Sequence, residues 1–101
     1  MHPLIRGRHA EIVKLCRELG VQRLDLFGSA LGDEFDVEHS DVDVLADFDT
    51  ATEGSFDTYF RLKDGLERIL GRPVDVVTAR GIRNPYFRAQ VLATRELLYA
   101  A

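Results

Sequence analysis

The chain has 101 residues, 46% hydrophobic and 30% charged, with 17 acidic against 13 basic side chains and a formal charge of −4. That length holds one domain with one modest core, taken as residues 1–101, and the composition excludes wholesale disorder. No stretch approaches the roughly 18 apolar residues of a membrane span and no signal peptide opens the chain, so a soluble, cytoplasmic protein is expected.

The first predicted element is a helix over residues 3–19. Pro3 suits a first-turn position, Ile12, Leu15, Cys16 and Leu19 repeat at i, i+3, i+4 and i+7, and Gly20 is the stop. Cys16 is the single cysteine, which rules out an intrachain disulfide and a thiolate metal cage. Its place on the apolar face reads as a buried small hydrophobe rather than a nucleophile. Residues 23–27 alternate as a short strand and run into Gly28-Ser29. Residues 30–40 carry no clear period and read as a turn or short helix followed by an acidic loop. Residues 41–48 alternate again and give the second strand, and 49–55 read as loop.

A second long helix is predicted from Phe56 to about Leu70, burying Phe56, Tyr59, Phe60, Leu66, Ile69 and Leu70 and closing at Gly71. Residues 73–78 form a third strand, with Pro73 at its start where no ladder donor is needed. Asn84-Pro85 supplies an N-cap and a first-turn proline for a last helix over 86–98, expected to bury Phe87, Val91 and Leu98. The order α-β-β-α-β-α predicts an α/β (α+β) fold: a small mixed sheet of three or four strands with helices packed on one side.

Eight of the 17 acids lie between positions 33 and 49. So negative a face repels phosphate backbones unless a cation intervenes, and unaided nucleic-acid binding is not expected. Alternation on a strand turns Asp41 and Asp43 to one side while Val42 and Val44 point into the core. Adjacent carboxylates repel, and Mg²⁺ relieves that repulsion while needing only one or two carboxylates plus substrate phosphates. A lone Asp-x-Asp is more often a solvated strand end than a metal site. Gly28-Ser29 adds a second part: glycine lets backbone approach a ligand, and the serine hydroxyl and neighbouring N–H groups suit a phosphate. Asp75, between Val74 and Val76, is out of place on a strand unless it faces a polar cleft or solvent. Were its strand to lie beside 41–48, three carboxylates would converge, enough for two metal ions roughly 4 Å apart.

Leu26-Phe27-Gly28-Ser29-Ala30, Ser40-Asp41-Val42-Asp43-Val44-Leu45 and Pro73-Val74-Asp75-Val76-Val77 together resemble the DNA polymerase beta superfamily. More narrowly, the chain is similar to the minimal nucleotidyltransferase (MNT) proteins, partners of HEPN-domain toxins in prokaryotic toxin–antitoxin pairs. The resemblance spans nearly the whole chain and includes Asn84-Pro85-Tyr86-Phe87-Arg88 and Leu97-Leu98-Tyr99. It implies that Gly28 and Ser29 bind the nucleoside triphosphate, most simply ATP, and that Asp41 and Asp43 ligate two Mg²⁺ ions, with Mn²⁺ as a substitute. It makes Asp75 the third carboxylate, binding one metal and helping to deprotonate the acceptor hydroxyl. Many relatives carry an arginine or lysine just after Gly-Ser, whereas Ala30-Leu31-Gly32-Asp33 offers none. That leaves the phosphate charge to the metals or to an arginine elsewhere; Arg72, Arg80, Arg83 and Arg88 surround the third strand, where surface solvation is the simpler account of most of them.

Two functions follow from the resemblance. One is transfer of an NMP, AMP first, to a hydroxyl of a partner protein, neutralising a HEPN toxin. The other is an antitoxin that silences its partner by contact, with turnover weak or lost. So small a chain needs a partner or a second copy, as in a homodimer, to complete the acceptor side. A glycosyltransferase is set aside on size, and an EF-hand is excluded because Leu45 and Ala46 stand where a ligand and the turn glycine belong.

Overall fold

The computed structural model describes residues 3–28, 41–48, 56–78 and 81–101. The elements in chain order are α1 (Pro3–Arg6), α2 (His9–Leu19), β1 (Val21–Phe27), β2 (Val42–Phe48), α3 (Phe56–Leu70), β3 (Val74–Thr78), α4 (Pro85–Thr94) and β4 (Glu96–Ala100). The predicted turn and acidic loop at 30–40, the loop at 49–55, Ser29 and Arg80 lie outside the described residues. Among the described residues no helix is long and apolar enough to cross a membrane.

The sheet has four strands in the order β3-β2-β1-β4. β1 runs antiparallel to both β2 and β4, while β2 and β3 are parallel, joined through the crossover helix α3. The expected mixed sheet is therefore present. Strand alternation sorts its side chains into two sets. Leu24, Leu26, Val42, Val44, Ala46, Val74 and Val76 join Ile12, Cys16, Leu62 and Leu66 in the main core beneath α2 and α3. Phe27 and Leu45 turn the opposite way and meet Ile82 and Val91, so α4 lies against the other face in a smaller cluster. Gly65 is what lets the two long helices close up: a Cβ there would stand 2.6 Å from Leu15 Cδ2.

The structure departs from the sequence reading in five places. Helices cover both faces of the sheet rather than one, because Phe27 and Leu45 give the second face an apolar cluster that α4 covers. The first helix is two: Gly7 and Arg8 donate their N–H groups to the Pro3 and Ile5 carbonyls, and α2 starts afresh at His9. A glycine inside a helix costs about 1 kcal/mol relative to alanine, which makes that junction the weak point. Phe60 is 53% exposed, and Leu62 is the buried residue instead. The last helix ends at Thr94 rather than 98, because Arg95 turns extended and residues 96–100 pair with β1 as β4. Pairing satisfies backbone groups along β1 that would otherwise form a bare sheet edge, a gain that a further helical turn does not offer. Leu98 is buried as expected but on a strand, and Phe87 stands partly out of the protein with its ring edge-on to Phe27.

Other local features are as read. Gly20 and Gly71 adopt left-handed conformations after their helices, and Asn84 Oδ1 accepts from the N–H groups of Tyr86 and Phe87. Cys16 is fully buried, and burial pushes its thiol up to about 12. The native chain should therefore resist a thiol reagent at pH 8, and label with one equivalent only in denaturant. Rapid labelling of the folded protein, followed by absorbance, would contradict the packing described.

Candidate active site

β1 delivers its last residue, Phe27, opposite Asp43 of β2 in the antiparallel register. The next residue, Gly28, has φ +76°. That left-handed conformation favours glycine, and a second constraint acts at the same position: a Cβ on Gly28 would lie 2.6 Å from Asp43 Oδ2. Backbone and carboxylate thus stand closer than any side chain at 28 would allow. Gly28→Ala is expected to cost about 1 kcal/mol in backbone strain alone. It should also displace the Asp43 carboxylate, which a loss of stabilisation by Mg²⁺ plus an ATP analogue in thermal melts would register.

On its other side Asp43 has Asp75 of β3 as its register partner in the parallel pair. Partners in adjacent strands share a face, so the two carboxylates stand side by side across a strand spacing of about 4.8 Å. Asp41 lies exposed immediately before β2. The electrostatics tie the three together: burial, then the charge of Asp75, then that of Asp41, raises the Asp43 carboxyl above its ordinary value. This face is the one opposite the α2/α3 layer, since Val42, Val44, Val74 and Val76 point into the main core. Its floor is apolar, made by Phe27, Leu45, Val77, Ile82 and Val91.

The juxtaposition that the sequence reading made conditional, strand 73–78 beside strand 41–48, is thus observed. Of the arginines considered as phosphate partners, Arg72 donates from Nε to the Leu70 carbonyl, and Arg83 and Arg88 are exposed. A further acid lies buried in β1. Asp25 is 1% exposed and bonds Arg23 Nε through both carboxylate oxygens, at 3.1 and 2.9 Å, with Arg95 Nη1 3.5 Å away. Its signal was the one used for Asp75: an acid between two apolar residues of a strand.

Comparison with known proteins gives this geometry a family. The sequence profile described as "Nucleotidyltransferase domain" matches residues 9–98. The chain belongs to that family. The Methanocaldococcus jannaschii protein MJ1379, provisionally named a protein adenylyltransferase, is 37% identical over 96 residues, covering 94% of this chain and 90% of the relative. MJ0128 of the same organism, named likewise, is 32% identical over 95 residues at the same coverage. Among solved structures, one provisionally described as a minimal nucleotidyltransferase superposes with a TM-score of 0.76 at 38% identity, covering 91% of this chain and 90% of that one. Another, described as a toxin–antitoxin with AMP-PNP, gives a TM-score of 0.67 at 26% identity over 92% of this chain and 73% of that chain. The nucleotidyltransferase fold and the general kind of activity, nucleotidyl transfer, expected from the sequence resemblance are those of this family.

Nucleotidyltransferases use divalent cations, and the residues present suit one. The donors are all hard carboxylate oxygens, the preference of Mg²⁺. Burial raises the Asp43 carboxyl most, the charges of Asp75 and Asp41 add to it, and a cation between the three would relieve that repulsion. Among the described residues no three acidic, histidine or cysteine side chains form a ready-made cage. An open set completed by substrate phosphates is the form Mg²⁺ commonly takes in phosphoryl-transfer sites.

Proposed function

We propose that this nucleotidyltransferase moves AMP from ATP to a hydroxyl of a partner protein, and that it serves as the antitoxin of a HEPN-type toxin. The convergence of Gly28, Asp43 and Asp75 at one sheet face carries the reading. Asp41 and Asp43 hold Mg²⁺, with Asp75 contributing to one of two ions, and Gly28 and Ser29 cradle the triphosphate. When bound, Mg²⁺ neutralises the phosphate oxygens and lowers the barrier to displacement at phosphorus. The chain's own groups do the rest. The Gly28 backbone lies against the Asp43 carboxylate, so a ligand held by one is within reach of the other. Asp75 takes the proton of the acceptor hydroxyl as its oxygen bonds to the α-phosphorus; the α–β bridging bond breaks and pyrophosphate leaves.

A partner protein or a second copy supplies the acceptor hydroxyl. The relatives support this reading, since two are provisionally named protein adenylyltransferases and one solved neighbour is a toxin–antitoxin with AMP-PNP. The deciding experiment captures partners from the native host and adds α-labelled ATP with Mg²⁺. Label on a captured protein is expected; an unlabelled, correctly paired partner would overturn transfer. The alternative, neutralisation by contact alone, is favoured by the absence of a basic residue in Ala30-Leu31-Gly32-Asp33. It predicts that Asp41→Ala still rescues growth against the toxin, whereas transfer predicts loss of rescue with association intact.

A further inference from the structure

We infer that Tyr59 and Lys63 are positioning residues for Asp75: they clamp the carbonyls of the residues on either side of it and so fix where its carboxylate stands beside Asp43. The inference rests on Asp75 being part of the transfer site.

Among the described residues β3 is an edge strand, paired on one side with β2. The Pro73 carbonyl faces β2, where it accepts from Val42 N–H at 3.1 Å. Alternation then turns the backbone groups of Asp75 toward β2 as well, and those of Val74 and Val76 outward. Outward groups on an edge strand normally bond to water, and such edges open easily. Here α3 takes the place of water. Tyr59 Oη donates to the Val76 carbonyl at 3.0 Å, and Lys63 Nζ donates to the Val74 carbonyl. Glu67 Oε2 accepts from Val74 N–H at 3.0 Å and pairs with Lys63 Nζ at 3.5 Å.

Tyr59, Lys63 and Glu67 are four apart, so they form one stripe along α3. Beside it runs a second stripe, Leu62, Leu66 and Leu70, buried in the main core. The apolar stripe fixes the rotation of α3, and that rotation lays the polar stripe on the outer edge of β3. Asp75 is therefore gripped from both sides: by the β2 ladder through its own backbone, and by α3 through its neighbours. Groups hydrogen-bonded directly to a metal ligand typically change metal affinity or activity 10- to 100-fold when lost, and Tyr59 and Lys63, acting through the main chain beside Asp75, belong at the low end of that range.

The test measures Mn²⁺ binding by electron paramagnetic resonance on the intact chain with a non-hydrolysable ATP analogue. It compares wild type, Tyr59→Phe, the double variant Tyr59→Phe/Lys63→Met, the double variant Tyr59→Phe/Lys63→Arg, and Asp75→Asn, with thermal melts on each. Tyr59→Phe/Lys63→Met should bind Mn²⁺ about 10-fold more weakly, and arginine at 63 should recover most of that loss. Tyr59→Phe keeps the ring and removes one donor; it should weaken binding about 3-fold and carries the test should the double variant not fold. Unchanged Mn²⁺ affinity alongside a lowered melting temperature would overturn the inference, because it marks a purely structural role. Binding by Asp75→Asn equal to wild type would instead remove Asp75 from the site, and the inference with it.

Discussion

Asp43→Asn should lower nucleotidyl transfer at least about 100-fold at saturating Mg²⁺ and ATP, and should also make the metal-free chain more heat-stable at pH 7. The first effect follows from the several kcal/mol that a metal bound at a reacting phosphate contributes to the barrier. The second follows from the environment of the carboxyl. Burial, Asp75 and Asp41 all disfavour the ionised form, so the folded chain holds the Asp43 proton more tightly than the unfolded chain does. Stability therefore falls as pH rises from the ordinary carboxylate value through the raised folded value, then levels off. Asparagine has the same shape and no charge, and it escapes that loss. The melting curves of wild type and variant should separate at pH 7 and converge below about pH 4. Saturating Mg²⁺ with nucleotide should restore the wild type and leave the variant unmoved. A variant equally or less stable at pH 7 would show that the three carboxylates are not crowded as described.

Asp25→Ala is expected to destabilise the fold by about 3 kcal/mol, a fall in melting temperature of about 15 °C for a chain this size. The carboxylate is buried and both its oxygens bond the Arg23 guanidinium. Removing it takes away these charge-assisted bonds and strands the Arg95 side chain that approaches from the end of α4. The lower end of the range for broken buried pairs applies because the arginines are partly exposed, 41% for Arg23 and 29% for Arg95, and can rehydrate. Denaturant melts would check it; a change under 1 kcal/mol would mean the triad contributes little beyond geometry.

The parts of the site that were legible in the sequence are those that local rules govern. Alternation alone put Asp41 and Asp43 on the face opposite Val42 and Val44, and Val42 and Val44 are buried as that requires. The helix 56–70, Gly20 as a stop and the Asn84 cap are likewise products of local spacing and backbone chemistry. The Asp43–Asp75 pairing needed more, because parallel strands meet only through a crossover and their register is set by how α3 packs. β4 was read as helix because five residues, Glu96-Leu97-Leu98-Tyr99-Ala100, carry no period long enough to distinguish the two. What decides it is the vacant side of β1, which lies 70 residues earlier. Phe60 and Phe87 fit the helical spacing, but Phe60 lies off the Leu62-Leu66-Leu70 stripe and Phe87 only reaches the edge of the smaller cluster at Phe27, so both stay exposed. Asp25 shares with Asp75 the pattern of an acid between two apolar strand residues, but what buries it is Arg23 beside it and Arg95 from 70 residues later, a contact that spacing does not reveal.

The placement of β4 against β1 also has a kinetic side. Pairing Leu24 with Tyr99 closes a span of about 75 residues, whereas Phe27 and Asp43 meet across about 16. Loop closure grows more costly with separation, and chains dominated by distant pairings fold slowly for their size. The β1–β2 pair that brings Gly28 to Asp43 can form early. The β1–β4 seam, which also brings Arg95 toward Asp25, must wait for the two ends of the fold to find each other. On loop-closure cost, the Gly28–Asp43 half of the site is expected to form before the β1–β4 seam closes.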